Sequence, residues 1–343
     1  MKRKLLIILM ALGLLALLPA TALADDIFAS GEGTADDPFV IETVEQLAAF
    51  RDSVNSGKTY AKQYIELVDG RIYDLSDLGK EWTPIGQSPS TPFSGHFDGK
   101  GANIDNMTMT NTNSKNNDIY YGFFGIVSGT KNENYTASSD IFNAATGDLD
   151  KTAVAEENYS AVVKNLTLTN VDINTDGSWV GGLAGGSYNA YFANIYVDNG
   201  TIIGTNSVGG VLGRGYATVL DNVYAGMGGG GLAVGNGNNS TGSIYNIGGI
   251  AGPLRYYYGG LCAVLESQNY ADVDSLLAGG GIGGIVGQLG SDKSGNGPIV
   301  IAYCNNYGDI TIKDSSHSSP RVCDRVAGGI GGQMEGTTDN VNA

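Results

Sequence analysis

Three cysteines, Cys262, Cys304 and Cys323, are all that this 343-residue chain carries, and each lies in its last quarter. An odd count so placed does not make a disulfide scaffold. One bridge with a leftover thiol stays open, while Cys304, inside the strand-like run Ile299–Cys304, reads as a small apolar core residue. Histidine is scarcer still, with only His96 and His317, and no His-Glu-x-x-His occurs, so the commonest zinc-peptidase signature is absent. His96 reads as a turn or stacking residue. Positive charge is short as well: 19 Lys and Arg face 35 Asp and Glu, for a formal charge of -16. Without a basic stripe, nucleic acid and anionic lipid are poor partners. Long apolar runs are limited to Leu5–Leu18, shorter than the roughly 20 residues of a spanning helix. That run follows Lys2-Arg3-Lys4 and precedes Ala22-Leu23-Ala24, the order of a secretory signal peptide over residues 1–24. The expectation is an extracellular or cell-surface protein with no membrane insertion after cleavage.

Proline is sparse too, at 8 residues, so even with 53 glycines the chain stays below the roughly 25–30% Gly plus Pro of low-complexity sequence. Hydrophobic residues reach 42%, enough to bury a core, and the glycines lack the three-residue period of collagen. Residues 25–60 read as an N-terminal cap. Phe39–Ile41 is strand-like, and Thr43 with Gln46 forms a capping box that opens a helix over 43–56. Val44, Leu47, Phe50 and Val54 give that helix one apolar stripe, and Gly57 is placed to end it.

From about residue 61 to 343 the period falls to two, as in Tyr64–Val68 and Asn103–Met109. Two elements then recur. One is an Asn followed by alternating apolar residues, beginning at Asn106, Asn165, Asn194 and Asn222. The other is a glycine element, which starts as Tyr121-Gly122-Phe123-Phe124-Gly125. It returns as Gly181-Gly182-Leu183-Ala184-Gly185, Gly209-Gly210-Val211-Leu212-Gly213 and Gly248-Gly249-Ile250-Ala251-Gly252. The last two copies are Gly283-Gly284-Ile285-Val286-Gly287 and Gly328-Gly329-Ile330-Gly331-Gly332. Units this small cannot bury their own apolar residues, so the repeat implies a solenoid of stacked strands. Glycine at one place in every unit serves a corner with positive φ or close packing, and stacked Asn side chains can bond up a column. The helix then covers the open first unit.

These glycine elements resemble the GLUG motif of exported bacterial proteins. Gly33–Phe39, Trp82–Gly86 and Phe93–Gly101 are similar to the lead-in of the same proteins, and the likeness runs over about 31–336. The resemblance implies an all-β right-handed parallel β-helix with an N-terminal capping α-helix, in a secreted or surface protein of the adhesin-like or IgA-peptidase-associated kind. It is nearly silent about activity.

No catalytic set stands out. Asp172, Asn174 and Asp176 match the first half of a calcium loop, but Leu183 takes the place of the closing Glu, so weak calcium binding is the most this stretch implies, and no other cofactor is expected. Nineteen tyrosines are the remaining excess. Tyr188, Tyr191, Tyr256, Tyr257 and Tyr258 follow glycine elements and are the candidates to project from loops toward sugar rings or protein surfaces. The expected function is thus a binding or adhesion module for a glycan or protein ligand. The alternative is a carbohydrate-active or peptidase-associated region of a larger enzyme. Part of the polar stretch Ser128–Ser160 should leave the stack as a lateral loop, the alternative being one extra degenerate coil, and the chain reads as truncated at its C-terminus, since Gln333–Ala343 lacks a capping pattern.

Overall fold

The computed structural model describes residues 27–110, 120–130, 148–228, 231–237, 246–257, 260–275, 280–291, 299–312 and 325–334. The leader 1–24, Tyr258, His317 and Cys323 lie outside them. At the N-terminal end Thr43 and Gln46 do what their spacing implies. Thr43 Oγ1 accepts from the Gln46 amide at 3.2 Å, and Gln46 Oε1 accepts from the Glu42 amide at 2.7 Å and the Thr43 amide at 3.3 Å. The box opens the helix Val44–Asn55, and Gly57 follows it with φ of 108°. Val44, Leu47, Phe50 and Val54 are buried. Phe50 meets Tyr60, Phe93 and Phe97 at ring distances of 4.9, 5.9 and 6.1 Å, so the helix closes over the first strands of the sheets.

The rest is mostly β. Three sheets of fifteen, six and six strands account for it, and their strands pair in parallel; one antiparallel bridge, Ser30 to Val40, lies at the N-terminal edge. The chain visits them in a fixed order. Trp179–Gly181 belongs to one six-stranded sheet, Ala184–Tyr188 to the other and Ala190–Gly204 to the large sheet, after which Ser207–Gly209 returns to the first. Each visit lies in register on the one before: Val180 beside Val208 and Val208 beside Ile247, Ala184 beside Leu212, Ile195 between Leu166 and Val223. Alternation puts Leu166, Leu168, Ile195, Val197 and Val223 on the inner face, where all are buried in one continuous core.

The repeated glycines serve one of their two expected roles. Among the described residues none of them has positive φ. A Cβ on Gly182 would sit 2.6 Å from the carbonyl oxygen of Gly210 in the next pass, and one on Gly213 would sit 2.5 Å from Gly185 O and from Val180 N. Close approach of backbones is therefore what excludes a side chain there. The left-handed corners fall to asparagine: Asn165, Asn194 and Asn222 have φ of 56°, 53° and 55°. Asn is the non-glycine residue best suited to that region, because its short amide can bond locally.

Those amides form the expected column. Asn222 Nδ2 donates to Asn194 Oδ1 at 2.7 Å, Asn194 to Asn165 at 2.8 Å, and Asn165 to Asp98 Oδ1 at 2.9 Å. Asn106 is not part of it, which corrects the grouping made from sequence. The strand His96–Asp105 lies on Ala161–Asn174 with Asp98 opposite Lys164 and, past an irregularity, Asp105 opposite Thr169, so Asp98 stands under Asn165 and Asn106 comes beside Asn170. A second column results, Asn199 to Asn170 at 2.6 Å and Asn170 to Asp105 at 2.8 Å.

Within Ser128–Ser160, residues 131–147 lie outside the description, and 148–159 form short turns across the outer face of the large sheet. Val154 and Tyr159 are buried there against Val162, Tyr191 and Val219, so this stretch has left the stack. Cys262 is fully buried and Cys304 partly so; both are free thiols, and burial pushes each up to about 11.

Candidate binding surfaces

Two groups of tyrosines form on different sheets. The first grows from the strand pair Ala184–Tyr188 and Leu212–Tyr216, which sets Tyr188 beside Tyr216. Their rings stack at 4.9 Å and 3°. Tyr257 turns its edge to both, at 6.0 and 5.6 Å. Gly186 leaves a hollow that Trp179 fills, since a Cβ there would lie 2.8 Å from Trp179 Cε3. Tyr120 packs edge-on against the indole at 4.9 Å, and the Arg214 guanidinium lies over Trp179 at 4.7 Å and over Tyr216 at 5.2 Å. Burial among these rings raises the Tyr188 hydroxyl well above the ordinary tyrosine range.

Of the five tyrosines picked from sequence, Tyr188 and Tyr257 therefore meet here. Tyr191 does not, and it does not project from a loop. It sits in the strand Ala190–Gly204, 7% exposed, roofed by residues 148–159, with Tyr159 at 5.6 Å and its hydroxyl donating to Asp221 Oδ2 at 2.8 Å. Tyr256 is likewise buried, at the end of the strand Ala251–Tyr256. Strand periodicity explains both, since a residue on a covered face is interior whatever motif precedes it.

The second group lies on the large sheet. Tyr196 and Tyr224 are register partners stacked at 5.0 Å and 8°. Tyr224 pairs with Gln268, whose Oε1 accepts from the Tyr270 hydroxyl at 2.7 Å, and Tyr270 stacks on Tyr307 at 4.8 Å. Tyr270 is 38% and Tyr307 61% exposed. Parallel pairing of successive passes puts these four rings in one stripe; the only sequence signal was tyrosine recurring beside the Asn elements, and its register was not readable.

A groove opens at the Tyr196 end. A cavity of about 360 Å³ is walled by Asp98, Lys100, Asn165, Thr167, Asn194 and Tyr196. Asp98 is shared with a second cavity of about 190 Å³, which includes Tyr64, Glu66, His96, Glu156 and Lys164. His96 stacks on its register partner Tyr64 at 4.4 Å, the role its position implied. Burial lowers its pKa, opposed by Glu156 and assisted by Lys164. Both lysines are paired: Lys164 Nζ is 2.7 Å from Glu156 Oε1 and Lys100 Nζ is 3.7 Å from Glu66 Oε1.

Asp172 and Asn174 lie along the strand Ala161–Asn174, with Asp176 in the turn beyond, so the backbone is extended where a calcium loop would curl around its ion. Among the described residues no group of three His, Cys, Asp or Glu side chains is placed to hold a metal. Among the described residues the carboxyls Glu45, Asp74 and Glu81 are shifted down, held by hydrogen bonds in which Glu45's own backbone, Ser76 and Thr110 lead.

No family profile matches this chain. It is 34% identical over 101 residues to a candidate Gly-rich membrane protein of Evansella cellulosilytica, covering 29% of this chain and 11% of that one. It is 25% identical over 187 residues to Halomucin of Haloquadratum walsbyi, covering 53% of this chain and 2% of that one. The match thus spans a small fraction of each relative. Among solved structures, a candidate immunoglobulin A1 protease from Bacteroides ovatus superposes with a TM-score of 0.49 at 19% identity, over 90% of this chain and 86% of that one. Among the described residues no helix is long and apolar enough to cross a membrane.

Proposed function

We propose that this chain is a right-handed parallel β-helix of the GLUG type, secreted or displayed at the cell surface, which binds glycans through its lateral face. The observation that carries the reading is the stripe Tyr196, Tyr224, Tyr270 and Tyr307. Tyr196 and Tyr224 are half-buried and Tyr270 and Tyr307 exposed; stacked aromatics so placed on one face of a rigid sheet are costly to leave in water without a partner, and a tyrosine ring offers an apolar face with a polar tip, the complement of a sugar. The leader-like residues 1–24 and the membrane-protein description of one relative support the location.

The test is a glycan array probed with the purified chain and with a Tyr270→Ala/Tyr307→Ala double variant. The expected result is retention of a glycan class by the parent and its loss by the double variant. Retention of no glycan, or equal retention by both proteins, would refute the proposal.

A further inference from the structure

We infer that the groove beside Tyr196 receives one ring of an uncharged oligosaccharide, seated on Tyr196 as the next member of the tyrosine stack. This rests on the glycan-binding reading and gives it a position and a ligand class. The geometry begins with the register. Tyr224 covers one face of Tyr196; on the other side Tyr196 pairs with Thr167, whose side chain is too small to continue the stack. The 360 Å³ cavity includes both residues, so the slot for a further ring lies inside it. That volume is within the roughly 300–1,000 Å³ range of small-molecule sites.

The cavity also has the hydrogen-bonding groups that sugar hydroxyls require. Asn194, Asn165 and Asp98 follow one another at the strand spacing of about 4.8 Å. Each Asn amide has two N–H donors and an oxygen with two lone pairs, and the column employs one donor of each. Both residues line the cavity, Asn194 exposed and Asn165 half-buried, so hydrogen-bonding capacity is left for a ligand there. Charge selects against acidic sugars. Both lysines already have glutamate partners, and Asp69, Asp98, Glu66 and Glu156 outnumber them along the two joined cavities. A uronate or sulfated ring would meet carboxylates with no unpaired cation among the described lining residues to hold it.

Calorimetric titration of the purified chain with maltotetraose, cellotetraose, xylotetraose, mannotetraose and trigalacturonate tests this. At least one neutral tetrasaccharide should bind, and trigalacturonate should not. Thr167→Tyr, which puts a ring into the slot, and Tyr196→Ala should each weaken binding at least tenfold, while Tyr196→Phe keeps it. Thermal unfolding followed by circular dichroism checks that Thr167→Tyr is folded; if it is not, Tyr196→Ala against Tyr196→Phe decides. The inference is wrong if no neutral probe binds, if trigalacturonate binds as tightly, or if Thr167→Tyr and Tyr196→Ala leave affinity unchanged. Array binding that depends on Tyr270 and Tyr307 while the groove variants change nothing would sink the groove alone. Groove binding with no effect of the Tyr270/Tyr307 double variant would sink the stripe reading instead.

Discussion

Two tyrosine groups of similar composition differ in what surrounds them. Around Trp179 every ring is occupied: Arg214 covers the indole, Tyr120 closes its edge, and Tyr188, Tyr216 and Tyr257 pack on one another. Along the large sheet Tyr270 and Tyr307 touch each other and then solvent. The first arrangement places its aromatic area in packing within the protein. The second leaves that area uncovered among the described residues. An aromatic-rich sequence thus does not locate a binding surface; ring faces without an internal partner do.

The largest expected difference between the two comes from truncating one ring in each. Trp179→Ala removes the indole that fills the Gly186 hollow and underlies Arg214, and should cost about 3 kcal/mol in urea unfolding, with no effect on array binding. Tyr307→Ala should do the reverse, abolishing retention while changing stability by no more than about 0.5 kcal/mol. A strongly destabilised Tyr307→Ala would collapse the contrast.

The framework under the stripe offers a gain. The corner occupied by Asn165, Asn194 and Asn222 continues at Glu266 and Tyr303, whose φ values are 49° and 59°. Neither residue suits the left-handed region. Glu266→Asn should raise stability by about 1 kcal/mol, read as a higher urea midpoint at unchanged slope.

A pH dependence is the smallest effect and sets the two regions apart once more. The Tyr188 hydroxyl near Trp179 is shifted upward, far from neutrality, whereas His96 in the groove region is held below its usual 6.5. The unfolded chain therefore binds a proton more readily than the folded one, and the contribution of His96 is present above about pH 6.5 and is lost as pH falls through its lower folded value. His96→Gln should flatten the stability profile between pH 5 and 7, and an unchanged slope would assign the dependence to other groups.

Local chemistry was legible without the structure. Thr43 and Gln46 announce a helix because a capping box is satisfied within four residues, and the period-two runs announce strands because alternation is a property of one segment. The glycine elements announce close stacking because a small residue recurring at fixed spacing has few other causes, though not that asparagine would take the corners. What lay beyond the sequence depends on pairs far apart in the chain. The register of His96–Asp105 on Ala161–Asn174, with its irregularity between Asp98 and Ala102, set Asn106 opposite Asn170 and left Asp98 beneath Asn165, a pairing between segments more than sixty residues apart. Residues 148–159 folded back over the large sheet and made Tyr191 interior, while no segment among the described residues did the same for Tyr307. Sequence determined which residues alternate, cap and stack. Tertiary structure decided which faces are covered, because covering is a contact between distant segments and its energy belongs to neither alone.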